Sequence, residues 1–276
     1  MTVVDVAAEV VANRRLSDDY NVVELAAPEV GEAARPGQFV MVKASAGFDP
    51  LLRRPFSIFE VVRDAAGRVT GITLLNKRVG VATALLSALR PGDRVACLGP
   101  LGRPFEPVDP PAHAWLIAGG VGLAPFATLA QELARRATST TLFYGARHAA
   151  DLHCVDLFER LRVRLVVSTE DGSRGDRGFV TVPLERELHA PGGTRVHLYA
   201  CGPIPMLRAV AGLASRFGHP CHVSLEQVMG CGLGGCYSCV VRALDGSRTP
   251  HYVRSCLAGP VFDARDLVWD ELAQGH

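Results

Sequence analysis

Three cysteines fall within nine residues of one another in the stretch LEQVMGCGLGGCYSCVV (225–241): Cys231, Cys236 and Cys239. No other feature constrains the fold so tightly. Thiols this close, with Gly232, Gly234 and Gly235 threaded between them, must pair off or wrap around a shared centre. A disulfide knot, a zinc site and an iron–sulfur cluster are the three ways to do that. The disulfide knot needs an oxidising compartment. The first fifteen residues, MTVVDVAAEVVANRR, carry early acids and no basic n-region, so no secretory signal is expected. Eight cysteines in such a chain are better read as reduced thiols or metal ligands.

The spacing itself is C-x4-C-x2-C, and sixteen residues then separate Cys239 from Cys256. That order is the plant-type spacing for a [2Fe–2S] cluster, which takes four thiolates. A four-residue loop must pass over the inorganic sulfides, and glycines leave room for it. Structural zinc sites more often use two short paired hooks. Here only one arm is so paired, and Cys256 has no second cysteine or histidine at hook spacing; His251 is five residues upstream. The cluster is the favoured reading, with zinc the open alternative. For Cys97, Cys154, Cys201 and Cys221, scattered along the chain, a buried small apolar role is the default.

Apolar residues make up 48% of the 276, enough for two ordinary cores and a small appendage. The net charge of +1, with no basic block, gives no reason to expect nucleic acid or a membrane surface as partner. No apolar run approaches ~18 residues, so no membrane span is expected. The expected location is the cytoplasm.

The rhythm changes twice. Residues 1–102 hold short β-branched or aromatic runs, such as Val22, Val23 and Leu25 or Phe39–Val42, cut by turn formers such as Pro36–Gly37 and Pro91–Gly92. That spacing suggests an antiparallel barrel or sandwich, with one helix-like interruption at 81–90. RPFEPVDPP (103–111) has four prolines in nine positions and reads as an extended connector. Residues 112–222 alternate strands and helices. AWLIA (114–118) is a continuous apolar run, and Phe126, Leu129, Ala130 and Leu133 follow at i, i+3, i+4, i+7. Further strands are expected at 141–144, 163–168 and 196–200, with a second amphipathic helix at 206–217. Together they imply a parallel, doubly wound α/β sheet. Residues 223–276 form a short third unit that needs a staple.

Four further stretches suggest ligands. GGVGLAP (119–125) sits between a strand and a helix, where bare backbone can approach a diphosphate, although a mere packing turn explains it as well. TEDGS (169–173) and CGP (201–203) follow strands at the same end of the inferred sheet, where open α/β sheets bind ligands. Arg54 in RRPFSIFE (53–60) is either a solvated strand-entry charge or a diphosphate partner.

With RPFS, GGVGLAP, CGPIPM and the cysteine tail in this order, the chain resembles the ferredoxin–NADP reductase superfamily. More closely, it is similar to the family of electron-transfer subunits of class 1B dihydroorotate dehydrogenases. The resemblance spans essentially the whole chain. It is most specific at LEQVMGCGLGGCYSCVV and RSCLAGPVFDA (254–264).

It implies an α+β multidomain fold: an antiparallel β-barrel FAD domain (1–102), an α/β parallel-sheet NAD domain (112–222) and a small [2Fe–2S] domain (223–276). It also implies an FAD site at Arg54, Pro55, Phe56 and Ser57, at Leu75, Asn76 and Lys77, and at Gly80, Ala82 and Thr83. Ala82 stands where the family's G-x-G-T segment has glycine, and Asn76 where an aromatic is common. The implied NAD site is Gly119, Gly120, Gly122, Ala124 and Pro125 with Cys201, Gly202 and Pro203. Cys231, Cys236, Cys239 and Cys256 match the cluster ligands.

The implied activity is electron transfer in pyrimidine biosynthesis, from an FMN-containing dihydroorotate dehydrogenase catalytic subunit through [2Fe–2S] and FAD to NAD⁺. The expected assembly is a heterotetramer of two catalytic and two electron-transfer subunits. No general acid or base is assigned. Cys201 and Glu226 stand either near the flavin or as a core thiol and a surface carboxylate, and Arg147 either meets a 2′-phosphate or is a solvated loop charge. Two alternatives stay open: an FAD/[2Fe–2S] reductase subunit of a sulfide dehydrogenase or NADH–ferredoxin transhydrogenase, and a zinc-stapled nucleotide-binding regulator.

Overall fold

In the computed structural model, seven strands between Val4 and Leu101 form one antiparallel sheet: β1 (Val4–Arg15), β2 (Tyr20–Ala26), β3 (Phe39–Lys43), β4 (Arg54–Ser57), β5 (Glu60–Arg63), β6 (Val69–Lys77) and β7 (Arg94–Leu101). The structure describes residues 3–45, 47–189 and 195–272, so the outermost residues of the expected first and third segments, 1–2 and 273–276, lie outside it. The strand order is β4-β3-β7-β1-β2-β6-β5. The two edge strands are consecutive in the chain, and the bend between them is tied to both sides. Ile58 N–H donates to the Gln38 carbonyl at 3.0 Å and Phe59 N–H to the Thr73 carbonyl at 2.9 Å. The sheet therefore curls into a partly open barrel.

Period-two alternation decides what each strand shows to each side. In β2, Val23 and Leu25 enter the barrel core with Ile72 and Leu74 of β6. Tyr20 and Val22 face the other way, with Leu75, into a core shared with the second domain. Helix α1 (Pro28–Ala33) starts on a proline, whose fixed φ suits a first helical turn, and packs against β6. Helix α2 (Val81–Ala88) buries only Leu86 and covers one end of the barrel.

The second domain alternates β8 (His113–Gly119), α3 (Phe126–Arg135), β9 (Thr140–Ala146), α4 (Val155–Arg160), β10 (Arg164–Thr169), β11 (Asp176–Arg177), α5 (Thr181–Leu188), β12 (Val196–Cys201), α6 (Ile204–Phe217) and β13 (Cys221–Ser224). The sheet order is β11-β10-β9-β8-β12-β13, all parallel, with helices on both faces. The apolar stripe of α3 is fully buried at Phe126, Leu129 and Leu133, contributing roughly 1.5–3 kcal/mol per side chain. The chain leaves β8 toward β9 on one side and returns to β12 on the other. The sheet's switch point therefore lies at the carboxyl ends of β8 and β12.

The last segment contributes β14 (Val240–Leu244), β15 (Pro250–Arg254), α7 (Ser255–Ala258), β16 (Val261–Asp263) and α8 (Trp269–Leu272). Its hairpin β14–β15 stands apart, but β16 pairs antiparallel with β13, Val223 opposite Phe262, and completes the parallel sheet's edge. The sheet thus runs past residue 222. The third segment is stapled to both neighbours, because Phe39, Met41 and Leu101 of the barrel share a core cluster with Met229, Cys239 and Cys256. The proline-rich connector is pinned as well. The Tyr199 hydroxyl donates to the Glu106 carbonyl at 2.8 Å, and Thr138 Oγ1 donates to the Val108 carbonyl at 2.9 Å.

Candidate functional site

A cleft of about 930 Å³ opens where the three segments meet. The barrel supplies Pro55, Phe56 and Ser57 of β4 and Leu75 and Lys77 of β6. The parallel sheet supplies Gly119, Gly120 and Ala124 at the end of β8, and Cys201, Gly202 and Pro203 at the end of β12. Glu226 and Met229, just ahead of the cysteine loop, complete the lining. Apolar walls with a few convergent polar groups in a cavity of this size suit a cofactor rather than a small metabolite.

The glycine turn is a single 3₁₀ turn, Gly120–Leu123, packed directly on the β12 loop. A side-chain carbon on Gly122 would lie 2.3 Å from the Cys201 carbonyl oxygen, so only hydrogen fits. Gly122 and Pro125 therefore shape the turn from behind rather than line the cleft, while Gly119, Gly120 and Ala124 face it. Glu170, following β10, and Phe179, before α5, extend the cleft at its far end. Arg147 also lines that end and stands 3.6 Å from Asp151.

On the barrel side the expected flavin residues divide. Pro55, Phe56, Ser57, Leu75 and Lys77 reach the cleft. Arg54 is half-buried, with its guanidinium donating to the Leu52 and Arg53 carbonyls at 3.0 and 3.1 Å. Asn76 is fully buried on the opposite face of β6. Its Nδ2 donates to Asn21 Oδ1 at 2.8 Å and to the Thr83 carbonyl at 3.0 Å. Thr83 in turn organises the start of α2, its hydroxyl accepting from the N–H groups of Val79 and Gly80 at 2.9 and 3.0 Å. Gly80, Ala82 and Thr83 thus form an exposed or half-exposed helix start beside Val79, which does line the cleft.

The four expected metal-ligating thiols come together as two pairs, Cys231 with Cys236 and Cys239 with Cys256. Among the described residues no three His, Cys, Asp or Glu side chains gather around one ion. Backbone amides point at sulfur in both pairs: Leu233 N–H to Cys231 Sγ at 3.3 Å and Cys256 N–H to Cys239 Sγ at 3.4 Å. Gly232 has φ +73°, and a side-chain carbon there would meet Met41 at 2.5 Å, so the loop lies flat on the barrel. Cys239 and Cys256 are buried, Cys231 is partly exposed and Cys236 exposed. The Ser238 hydroxyl and amide, together with Cys231, pull the Cys236 thiol down to about 6, whereas burial beside Cys239 pushes Cys256 up to about 12. An all-sulfur donor set, amides aimed at the sulfurs and two thiol pairs fit a two-iron cluster.

Burial governs the ionisable groups of the cleft. It raises the Glu226 carboxyl above its usual range, against the pull of Lys77. Glu226 keeps solvent contact through the cleft mouth although protein surrounds it. Burial also pushes Cys201 up, with Glu226 adding to the effect, so that thiol stays protonated. Tyr20 and Phe179 line the cleft without having been singled out from sequence. A lone aromatic at a strand start carries no local signal for the face it will take.

Comparison with known proteins agrees with this geometry. Residues 116–212 match the oxidoreductase NAD-binding domain family, and residues 226–268 match the iron–sulfur cluster binding domain of dihydroorotate dehydrogenase B. The chain is 37% identical over 263 residues to a protein of Desulforamulus reducens named dihydroorotate dehydrogenase B (NAD(+)), electron transfer subunit, covering 95% of this chain and 98% of that one. It is 38% identical over 263 residues to the protein of the same name from Geobacillus kaustophilus, covering 94% and 96%. Among solved structures, an NADH-dependent reduced ferredoxin-NADP oxidoreductase studied for flavin-based electron bifurcation superposes with TM-score 0.83 at 29% identity, over 98% of this chain and 92% of that one. The ferredoxin reductase of carbazole 1,9a-dioxygenase superposes with TM-score 0.68 at 25% identity, over 81% and 69%.

Proposed function

The chain belongs to the family of dihydroorotate dehydrogenase B electron transfer subunits, and from that premise we propose how its residues divide the work. It is an NAD-linked oxidoreductase subunit that uses FAD and a [2Fe–2S] cluster. When bound, the cluster handles single electrons, the flavin converts between single electrons and pairs, and the nicotinamide takes a pair as hydride. The chain's part is to hold these groups close together and shield them.

In this reading Cys231, Cys236, Cys239 and Cys256 hold the cluster. Arg54, Pro55, Phe56 and Ser57, with Leu75, Asn76 and Lys77 and the α2 start at Gly80, Ala82 and Thr83, hold the flavin. Asn76 serves by positioning α2, since its side chain faces away from the cleft. Gly119, Gly120, Gly122, Ala124 and Pro125 with Cys201, Gly202 and Pro203 hold NAD. The observation that carries the reading is the single cleft that joins β4, the glycine turn and the β12 loop to Glu226 and Met229 at the root of the cysteine loop.

The partner is an FMN-containing dihydroorotate dehydrogenase catalytic subunit, two of each chain forming a heterotetramer in the cytoplasm. Exposed Val228, Leu233, Tyr237 and Leu257 lie in or beside the segments that carry the cysteines, and support docking at that face. No helix among the described residues is long and apolar enough to cross a membrane. The close superposition on the ferredoxin-NADP oxidoreductase favours one further reading, a reductase subunit that serves a ferredoxin-linked complex.

The deciding experiment is anaerobic purification, an absorption spectrum and reconstitution. A flavin band with a cluster shoulder, bleached by NADH, is expected, and a colourless zinc protein would refute the reading. Dihydroorotate-dependent NAD⁺ reduction on adding the catalytic subunit supports the first partner. Reduction of ferredoxin alone supports the second.

A further inference from the structure

Tyr20 is only 5% exposed, yet its hydroxyl has no hydrogen-bond partner among the described residues. The oxygen is not among the fully buried polar atoms that lack a partner, so it meets solvent in the cleft, and a ligand that displaces that solvent must replace the bond. The ring is held firmly. It sits 4.6 Å from the His153 ring of the second domain, and the Lys77 ammonium lies 5.5 Å from its centroid. Tyr20 and Lys77 are directly paired across β2 and β6, so both project toward the second domain from one point of the barrel. The hydroxyl crosses the domain boundary and ends 3.7 Å from where a side-chain carbon on Gly120 would be. It is therefore a donor of the barrel domain, its ring held between His153 and Lys77 and its hydroxyl in the cleft at the glycine turn.

We propose that the Tyr20 hydroxyl donates a hydrogen bond to the diphosphate bridge of the nicotinamide dinucleotide held at the Gly119–Gly122 turn. Three observations select a diphosphate. The turn presents bare backbone at the switch point of a parallel sheet, where phosphates approach closely. Lys77, which makes no ion pair among the described residues, lies beside the same ring, and Arg147 acts on the hydroxyl against Asp151, Asp19 and Glu226. Burial lifts the phenol to about 12, so it remains a donor throughout the neutral range. A contact of this kind also makes nucleotide binding sensitive to the seating of one domain on the other, since the donor and the turn belong to different domains. The inference rests on the NAD reading of the turn.

The test uses the holoprotein and its Tyr20→Phe variant, which keeps the ring and its stacking. ADP-ribose, which has the diphosphate but no nicotinamide, is titrated beside NAD⁺ by calorimetry. Tyr20→Phe is expected to weaken both ligands alike, by about tenfold or more, as for a lost bond to a charged oxygen. Flavin and cluster absorbance should match wild type. Unchanged affinity for both would mean that solvent serves the hydroxyl, and would overturn the inference alone. Loss confined to NAD⁺ would place the contact on the nicotinamide side, and loss of bound FAD would place it on the flavin; either overturns the diphosphate assignment. Wild type failing to bind ADP-ribose would overturn the NAD reading and the inference together.

Discussion

Gly122 rests on Cys201: a side-chain carbon at the glycine would fall 2.3 Å from the cysteine's carbonyl oxygen and 2.8 Å from the Gly202 amide nitrogen. Two loops from neighbouring parallel strands thus meet backbone to backbone under the cleft. Gly122→Ala must push them apart, at a cost of roughly 1–3 kcal/mol for an overpacked site. The expected result is a rise in KM for NADH of about tenfold or more, with flavin and cluster spectra retained. Wild-type kinetics would show that the loops separate freely and do not shape the site.

The paired thiols make a selective prediction. Cys236→Ser exchanges an exposed sulfur and Cys256→Ser a buried one, yet both should remove the cluster, because each breaks one of two pairs. Iron content should fall from about two per chain to near zero. Cys97→Ser, deep in the barrel, should leave iron and cluster absorbance unchanged. Zinc found in place of iron in anaerobic wild-type protein would sink the assignment.

What sequence could and could not reveal follows from the range of the interactions. The cysteine spacing was informative because a cluster draws three of its four donors, Cys231, Cys236 and Cys239, from a few residues of one loop, with Cys256 following after the β14–β15 hairpin. The glycine turn was visible because steric exclusion is local, even though its reason, the Cys201 carbonyl, lies 79 positions away. Tyr20 was not visible. Period two sorts a strand into two faces, but both faces of β2 are buried, one in the barrel and one against the second domain. Asn76 had the same ambiguity. Only its register opposite Asn21 shows that its amide faces the barrel end and not the cleft. The β13–β16 pairing was equally hidden, since VFD is too short to read as a strand without the open sheet edge it covers.

That asparagine register has a consequence for the flavin. Asn13, Asn21 and Asn76 form a ladder across β1, β2 and β6. Asn21 Nδ2 donates to Asn13 Oδ1 at 2.6 Å and Asn76 Nδ2 to Asn21 Oδ1 at 2.8 Å. The ends of the ladder donate to α2 carbonyls, Asn76 to Thr83 at 3.0 Å and Asn13 to Ser87 at 3.1 Å. With Leu86 its only buried residue, α2 depends on these bonds for its place. Asn21→Ala leaves buried amide groups unpaired, at about 1–3 kcal/mol. The expected outcome is a lower Tm together with about tenfold weaker FAD binding, read by flavin fluorescence on back-titration. A lower Tm with unchanged FAD affinity would show that the ladder stabilises the barrel without serving the cofactor.

The last prediction concerns acid. His197 Nε2 lies 2.7 Å from His222 Nδ1, the rings stack at 4.9 Å, and His197 also stacks on Tyr199 at 4.6 Å. One neutral ring donates and the other accepts. Burial lowers the pKa of His197 to about 4, and its neighbours His222 and Arg195 push the same way. Burial lowers that of His222 too, against the pull of Asp263. In the unfolded chain each ring takes a proton near 6.5. Between that value and about 4 the unfolded state therefore binds more protons than the folded one, and stability falls as the pH drops through this window. Thermal unfolding should show Tm decreasing between about pH 7 and about pH 5. His197→Phe, which keeps a flat ring on Tyr199 but cannot be protonated, should flatten that decrease. Equal slopes for the two proteins would mean that the pair does not govern acid sensitivity.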